Sequence, residues 1–220
     1  MQSVFNACQL GITLATNSLW FKFAGGASLF KLSSLGMPVA EGFTGWLVGS
    51  FVFYWWHRLR HASRFWLAFH QIHHSPVRIE AMTSFYKHPV EIFSDSFLAA
   101  IVLYVFFGIS IEGALWFNFF AAMGEYFYHA NLRTPPWMRY VIQTPELHSI
   151  HHERHVHAYN FSDLPIWDRL FGTYKDTPQF VPDCGFPNHN ERKVLDMLAF
   201  RDVYEDAPPA EAKQNILVTD

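Results

Sequence analysis

Histidine is the residue type whose number and spacing could do chemistry in this chain. There are 13 histidines in 220 residues, and all but His189 fall between positions 57 and 157. His57-Arg-Leu-Arg-His61 sets two imidazoles four residues apart, so a helix would present both on one face, about a turn apart. His70-Gln-Ile-His73-His74 follows with spacing i, i+3, i+4, again one face, and Ser75-Pro76 ends that helix because proline cannot continue it. The second half repeats the order. His129 stands just after an apolar run, and Thr144-Pro-Glu-Leu-His148-Ser-Ile-His151-His152 follows it. Thr144 is a good N-cap and Pro145 suits the first helical position, so a helix starts just before this group and would carry His155 on the same face. His88 is isolated between the halves, and His157 reads as a surface histidine.

Imidazole ligates iron, zinc, copper and nickel. The nitrogens in these runs suffice for two metals with positions left open for oxygen. Oxygen-activating iron attacks C–H bonds that no ordinary acid, base or nucleophile can reach, and the protein then has to position the substrate carbon. The imidazoles alone leave the metal open; iron is the expected one for such chemistry, with zinc a possible substitute in purified protein. Binding needs deprotonated rings, so acid should strip the site. One HxxxH spacing says little. Two HxxHH groups, each preceded by an apolar run that ends in histidine, are far more specific.

The elements that must position these residues are apolar. Runs at about Val4–Phe21, Phe43–Trp56, Phe97–Ile111 and Ala114–Tyr128 are each somewhat short against the roughly 20 residues needed to cross a bilayer. The first is the weakest, broken by Asn6, Gln9 and Asn17. The aromatic content is high, 23 Phe, 8 Trp and 9 Tyr, and Tyr54-Trp55-Trp56 and Tyr126-Phe-Tyr128 end apolar runs as interfacial rings do. The expected architecture is all-α: an integral-membrane bundle of about four membrane helices in two hairpins, joined by a turn at Gly108–Gly113, with a helical cap holding the histidines. Basic residues crowd 57–94 and the region after 129, which places the cap in the cytoplasm by the positive-inside rule and leaves the Asn160-Phe-Ser162 sequon unglycosylated. The absence of Lys or Arg before the first run argues against a cleaved signal peptide. A formal net charge of −3 carries no case for nucleic acid. Cys8 and Cys184 form neither a disulfide framework nor a thiolate site. Residues 1–175 read as the oxygenase domain and 176–220 as a tail, with a short helix around Val194–Phe200 packed on the body and disorder over the last fifteen or so residues.

Over roughly residues 40–175 the chain resembles the fatty acid hydroxylase/sterol desaturase superfamily, most closely its bacterial sterol-desaturase-like members. The matching strings are the two histidine pairs and runs above, Lys87-His-Pro-Val-Glu91, His129-Ala-Asn131 and Leu164-Pro-Ile-Trp-Asp-Arg-Leu-Phe-Gly-Thr-Tyr174. The resemblance implies a di-iron centre under a cytoplasmic cap, O2 and electrons as co-reactants, and His57, His61, His70, His73, His74, His129, His148, His151 and His152 as ligands. It makes His88 a ligand or an orienter and gives Asn131 a reach to the metal through water. Asp168 and Trp167 become supporting residues, with Asp168 placed to accept the second N–H of a ligand ring. Two departures stand out. Glu125 sits four residues before His129, where some members pair two histidines, and could replace one as a carboxylate ligand. The stretch from His152 to Asn160 is short and holds His155, a candidate extra ligand.

The function expected is hydroxylation or desaturation of a lipid- or sterol-like molecule, with electrons from a separate ferredoxin, cytochrome or reductase. Arg58, Arg60, Arg64, Arg133 and Arg139 could dock an acidic donor, bind lipid head groups or merely set topology. Two other readings stay open. One is a non-redox metal-binding membrane protein, against which stands the near absence of histidine inside the apolar runs. The other is ether or aldehyde cleavage on the same scaffold.

Overall fold

The computed structural model describes residues 2–24, 28–61 and 65–204. It is all-helical, with no strand among the described residues beyond an isolated bridge between Glu153 and Cys184. Arg64 and everything from residue 205, including the tail segment expected to be disordered, lie outside the described residues.

Each apolar run falls mainly within a long helix, the third running past its helix end at Phe107 through the turn to Ile111. These are α1 (Gln2–Ala24), α2 (Pro38–Arg60), α4 (Pro89–Ala100, continued by a π-helical stretch Ile101–Phe107) and α5 (Ile111–Tyr128). Between α2 and α4 lies α3, a π-turn Trp66–His70 running into Gln71–His74. The second half adds α6 (Pro145–His151), α7 (Pro165–Leu170) and α8 (Val194–Leu198). Of the four long helices, Pro89–Phe107 is the one long and apolar enough to cross a membrane by length and composition. All four nonetheless turn large apolar side chains outward, among them Leu14, Phe23, Leu47, Phe51, Phe97, Leu115 and Phe119.

Close helix packing has visible causes. At the α2–α5 crossing a Cβ on Gly42 would overlap the backbone of Phe117, 2.6 Å from its nitrogen. Beside it the buried Glu41 carboxylate accepts the backbone N–H of Ser110 at 2.8 Å and its hydroxyl at 2.7 Å, while Ser110 Oγ accepts the N–H of Gly113 at 3.0 Å. The free N–H groups at the start of α5 are thus met by a cap and an anion, the pairing a helix N-terminus favours. Gly108, at φ 60°, makes the left-handed turn that ends α4.

The tail does not stand apart. Phe186, Val194, Met197, Val203 and Tyr204 share one buried cluster with Trp66, Ile72 and Tyr86 of the histidine-bearing region. Gln71 Nε2 donates to the Arg201 carbonyl at 2.7 Å.

Candidate metal centre

The local geometry begins with how each histidine element is started and stopped. α2 carries His57 near its end and His61 just past it. The π-turn before Gln71 shifts α3 so that His70, His73 and His74 are all buried. Thr144 caps α6, its hydroxyl accepting the N–H of Leu147 at 3.4 Å, with Pro145 in the first turn. His148, His151 and His152 are then delivered to the interior.

These elements bring nine imidazoles together in two clusters: His57, His61, His70, His74 and His151 in one, and His73, His129, His148 and His152 in the other. Within each cluster the potential ligand atoms all lie within 4.8 Å of one another. The HxxHH runs do not each serve one site. In α3 the outer pair, His70 and His74, joins the first cluster and His73 the second. In the second half His148 and His152 join the second cluster and His151 crosses to the first.

The nitrogens themselves show what would fit. His129 Nε2 lies 3.0 Å from His148 Nε2 and 3.3 Å from His73 Nε2, and His148 Nε2 is 3.1 Å from His152 Nε2. In the first cluster His61 and His70 face each other through Nε2 at 3.1 Å. A carbonyl can only accept, so His57 Nδ1–H donates to Phe161 O at 2.7 Å, His129 Nδ1–H to Glu125 O at 2.8 Å and His151 Nδ1–H to Tyr159 O at 2.8 Å. This fixes the tautomer that leaves each Nε2 as a lone pair. Nε2 of His57 and His151, and both ring nitrogens of His74, are buried without a hydrogen-bond partner. Converging lone pairs in a dry interior suit a soft or borderline cation.

Electrostatics agree. Burial drives His61, His70, His73, His74, His148, His151 and His152 well below the usual imidazole range, with the neighbouring rings adding to the effect. Burial pushes His129 down to about 3, against the Glu125 carbonyl, which favours its charged form. The rings are therefore neutral, the form that ligates. The carboxylate Glu91, fully buried, accepts from His70 Nδ1 at 2.8 Å and from Arg60, orienting that ring as the carbonyls orient His57, His129 and His151.

The remaining sequence candidates lie outside both clusters. His88 is an N-cap: its Nδ1 accepts the N–H of Val90 at 3.1 Å and its Nε2 donates to the Leu198 carbonyl at 3.3 Å, tying α4 to the tail. Asn131 is exposed and belongs to neither cluster. Glu125 pairs with Lys87 at 3.5 Å and approaches His129 Nδ1 at 3.7 Å, on the side of the ring away from the cluster. His155 leaves the helical face because α6 ends at His151. At φ 65° it turns to Tyr204, whose hydroxyl accepts its N–H at 2.9 Å and donates to its Nδ1 at 2.8 Å. His157 is not a surface residue: it is buried against Trp66 and His74, ring centroids 4.6 and 5.0 Å apart, and burial lowers it to about 4. Arg60 is buried with Glu91 and Asp95, so it cannot dock a donor.

Asp168 acts one step further out than expected. Its carboxylate accepts the N–H groups of Phe161 at 2.8 Å and Ser162 at 3.0 Å and the Thr173 hydroxyl at 2.7 Å, and so holds the carbonyl that orients His57. Burial raises it to about 6, against these donors. Trp167 donates to Ser50 Oγ at 2.8 Å, fastening α7 to α2. Sequence reasoning passed over Glu91, Gln143 and Asn160 as contributors to the site; Gln143 Nε2 donates to the Asn160 carbonyl at 2.7 Å and lies 3.5 Å from His148 Nδ1. Asn160, at φ 55°, has its side-chain N–H groups on the carbonyls of Leu147 and Lys175, both at 2.9 Å, and is buried, which leaves its nitrogen no room for a glycan. Glu91 lies in the Lys87-His-Pro-Val-Glu91 segment, three residues after the isolated His88, and an acidic residue within that segment was its available signal.

Below the clusters lies a cavity of about 490 Å3, bounded by α1, α2, α4 and α5. His57, Tyr128 and Asp163 line one end, and Leu10, Leu115 and Phe119 line its apolar part. Asp163 accepts from Tyr128 OH at 3.1 Å and Trp46 Nε1 at 3.2 Å, and burial raises it to about 6.

Comparison with known proteins points the same way. The family model described as Fatty acid hydroxylase matches residues 42–173. The ornithine lipid hydroxylase OlsE of Rhizobium tropici is 30% identical over 140 residues, 61% of this chain and 42% of that protein. Sphinganine C4-monooxygenase 2 of Arabidopsis thaliana is 29% identical over 126 residues, 55% of this chain and 49% of that one. The very-long-chain aldehyde decarbonylase GL1-4 of Oryza sativa subsp. indica is 28% identical over 142 residues, 56% of this chain and 22% of its own length. The chain spans less than half the length of these relatives. No solved structure matches.

Proposed function

The chain belongs to the fatty acid hydroxylase family, and from that premise we propose that it is a di-iron membrane oxygenase that hydroxylates a lipid-like substrate. The observation that carries this reading is the pair of neutral histidine clusters, of five and four rings, set at the head of a largely apolar cavity. His57, His61, His70, His74 and His151 would hold one iron, and His73, His129, His148 and His152 the other. Bound iron would supply the activation of O2 needed to attack an unactivated C–H bond.

The chain's own residues do the rest. Carbonyls of Phe161, Glu125 and Tyr159 and the Glu91 carboxylate fix the orientations of His57, His129, His151 and His70. Burial of all nine rings keeps water out. The cavity holds an apolar chain with one end beside His57. The outward apolar faces of the four long helices support a multi-pass membrane protein, since a soluble protein rarely leaves so many large apolar groups uncovered. In that reading the histidine cap faces the cytoplasm, where a separate electron donor reaches it. Hydroxylation is preferred to desaturation because it requires control of one C–H bond instead of two. Similarity to an aldehyde decarbonylase keeps aldehyde cleavage as the second reading.

The test is metal analysis of anaerobically purified protein, followed by lipid profiling of cells with and without it. About two irons per chain and a lipid gaining one oxygen support the proposal. A shortened hydrocarbon product would select cleavage instead, and a protein that binds no metal would refute both.

A further inference from the structure

The second half of the chain does not stay above the long helices. Asp163 Oδ2 accepts from Trp46 Nε1 at 3.2 Å, and Trp167 Nε1 donates to Ser50 Oγ at 2.8 Å. Both partners belong to α2, about three and about two turns before His57. The segment 163–171, which holds α7, therefore descends along α2 to roughly 10–16 Å below the metal end. There it joins the helix's outward face. Phe51 packs on Trp167 with ring centroids 5.0 Å apart, and Trp55 on Phe171 at 4.8 Å. Leu47, Phe51, Trp55 and Leu59 recur at i, i+4 spacing on that face, all exposed, and continue the apolar outer surface of the bundle. Beside them, Ile166 and Leu170 of α7 and Trp137, Tyr140 and Val141 of the preceding loop are each more than half exposed. The loop is tied to α7: Gln143 N–H donates to the Asp163 carbonyl at 2.8 Å, and the Arg169 guanidinium lies 5.0 Å from the Tyr140 ring centroid.

The irregular backbone around α7 is satisfied from within. The Asp168 carboxylate takes the N–H groups of Phe161 and Ser162, and Ser162 Oγ accepts the N–H of Leu164 at 3.1 Å. The Asp168 carbonyl accepts the N–H groups of Thr173 at 2.8 Å and Tyr174 at 3.1 Å. Non-helical backbone is tolerated at lipid depth only when its polar groups are met in this way. Cations rest on aromatic faces at the rim of the patch, Arg58 over Trp55 at 5.2 Å and Arg169 over Tyr174 at 4.2 Å. Rings beside guanidinium groups suit a layer of phosphate headgroups. We propose that α7 and residues 132–141 are immersed in the bilayer interface on the histidine side, as an in-plane anchor that seats the metal-binding cap against lipid. Such elements sink roughly 5–10 Å into the headgroup and acyl boundary. The Phe161 carbonyl that orients His57 belongs to the same stretch of chain, so the anchor and the metal site are mechanically joined. The proposal rests on the membrane reading above and extends it to a segment that its charge alone would leave in the cytoplasm.

Fluorescence quenching tests this on the full, metal-loaded chain in phosphatidylcholine nanodiscs. Ile166→Cys, Leu170→Cys and Val141→Cys, each in a Cys8→Ser, Cys184→Ser background, carry an environment-sensitive NBD label. Leu115→Cys, on the outer face of α5, is the lipid reference. Leu195→Cys is the water reference, since Leu195 is as apolar and 82% exposed but stands on α8, away from the patch. Lipids with a nitroxide on an upper acyl carbon should quench the patch labels several-fold more than the Leu195 label, and iodide in the buffer should show the reverse order. Metal content is measured on every sample, and Trp137→Cys replaces any site whose labelling lowers it. Patch labels that iodide quenches as strongly as at Leu195, with no effect of the nitroxide lipid, would overturn the proposal while quenching at Leu115 upheld the membrane reading. Patch labels shielded from both quenchers, with two chains per disc, would overturn it in favour of a contact between copies. Loss of lipid quenching at Leu115 as well would remove the membrane reading and the proposal together. Failure of the oxygenase reading would register separately, as missing iron or unaltered cellular lipids.

Discussion

His73 and His151 hold the same middle position in their HxxHH runs, and each is the ring of its run that crosses into the cluster built mainly by the other half. The halves are therefore interlocked at the centre. Neither cluster is complete without one histidine from the opposite half of the sequence.

This interlock predicts different outcomes for two single substitutions. His73→Ala leaves three rings in the smaller cluster, and His151→Ala leaves four in the larger. Metal content by elemental analysis should fall from about two to about one per chain for His73→Ala. His151→Ala should load both sites but lose one far faster to a chelator. Full, chelator-resistant loading in both variants would contradict the grouping.

Asp168 touches no histidine, yet its loss should reach the metal. Asp168→Ala strips the acceptor from Phe161 N–H, Ser162 N–H and the Thr173 hydroxyl. Each buried donor left unpaired costs about 1–3 kcal/mol, and the Phe161 carbonyl then no longer fixes His57. A lower unfolding midpoint and a loss of about 10–100-fold in metal affinity are expected. Asp168→Asn, which retains an acceptor, should lose less, and equal losses in the two variants would count against the orienting role.

Glu125→His is expected to strengthen the smaller cluster. The position is four residues before His129, the spacing that pairs His57 with His61 across a helical turn. Lys87 would lose one partner and keep Asp95. Competition with a chelator should show slower loss of the second metal, by roughly tenfold. Unchanged kinetics would show that a ring at 125 cannot turn inward.

Stability of the metal-free protein should fall with acid in a defined window. Unfolded histidine titrates near 6.5, whereas folded His129 is held down to about 3 and the other cluster rings outside α2 lie well below their usual range. Below about pH 6.5 the unfolded chain takes up protons that the folded clusters refuse, so their contribution is complete above that pH and declines as the pH drops toward 3. Asp163 and Asp168, raised to about 6, work in the opposite sense, but there are nine cluster histidines against these two carboxyls. Unfolding midpoints should be flat above neutrality and drop progressively below about pH 6. A midpoint that rises on acidification would contradict buried neutral rings.

The sequence by itself marked the helical elements and the grouping of the histidine runs through local spacing, and the family resemblance gathered the nine rings that the two clusters contain. Apolar runs marked the four long helices, Thr144-Pro145 marked the start of α6, and i, i+3, i+4 spacing put the histidines on shared faces. Tertiary structure alone decided which ring serves which cluster, since i+3 and i+4 on one helix diverge enough to point at different centres. It also decided that His155 turns away on a left-handed residue, that His157 is buried under Trp66, and that Asp168 works through a backbone carbonyl. The polar breaks in the first run looked like a flaw in a membrane helix. Only packing against α4 and α5 shows them as the wall of a cavity, because whether a polar side chain faces lipid, solvent or a ligand depends on its neighbours in space.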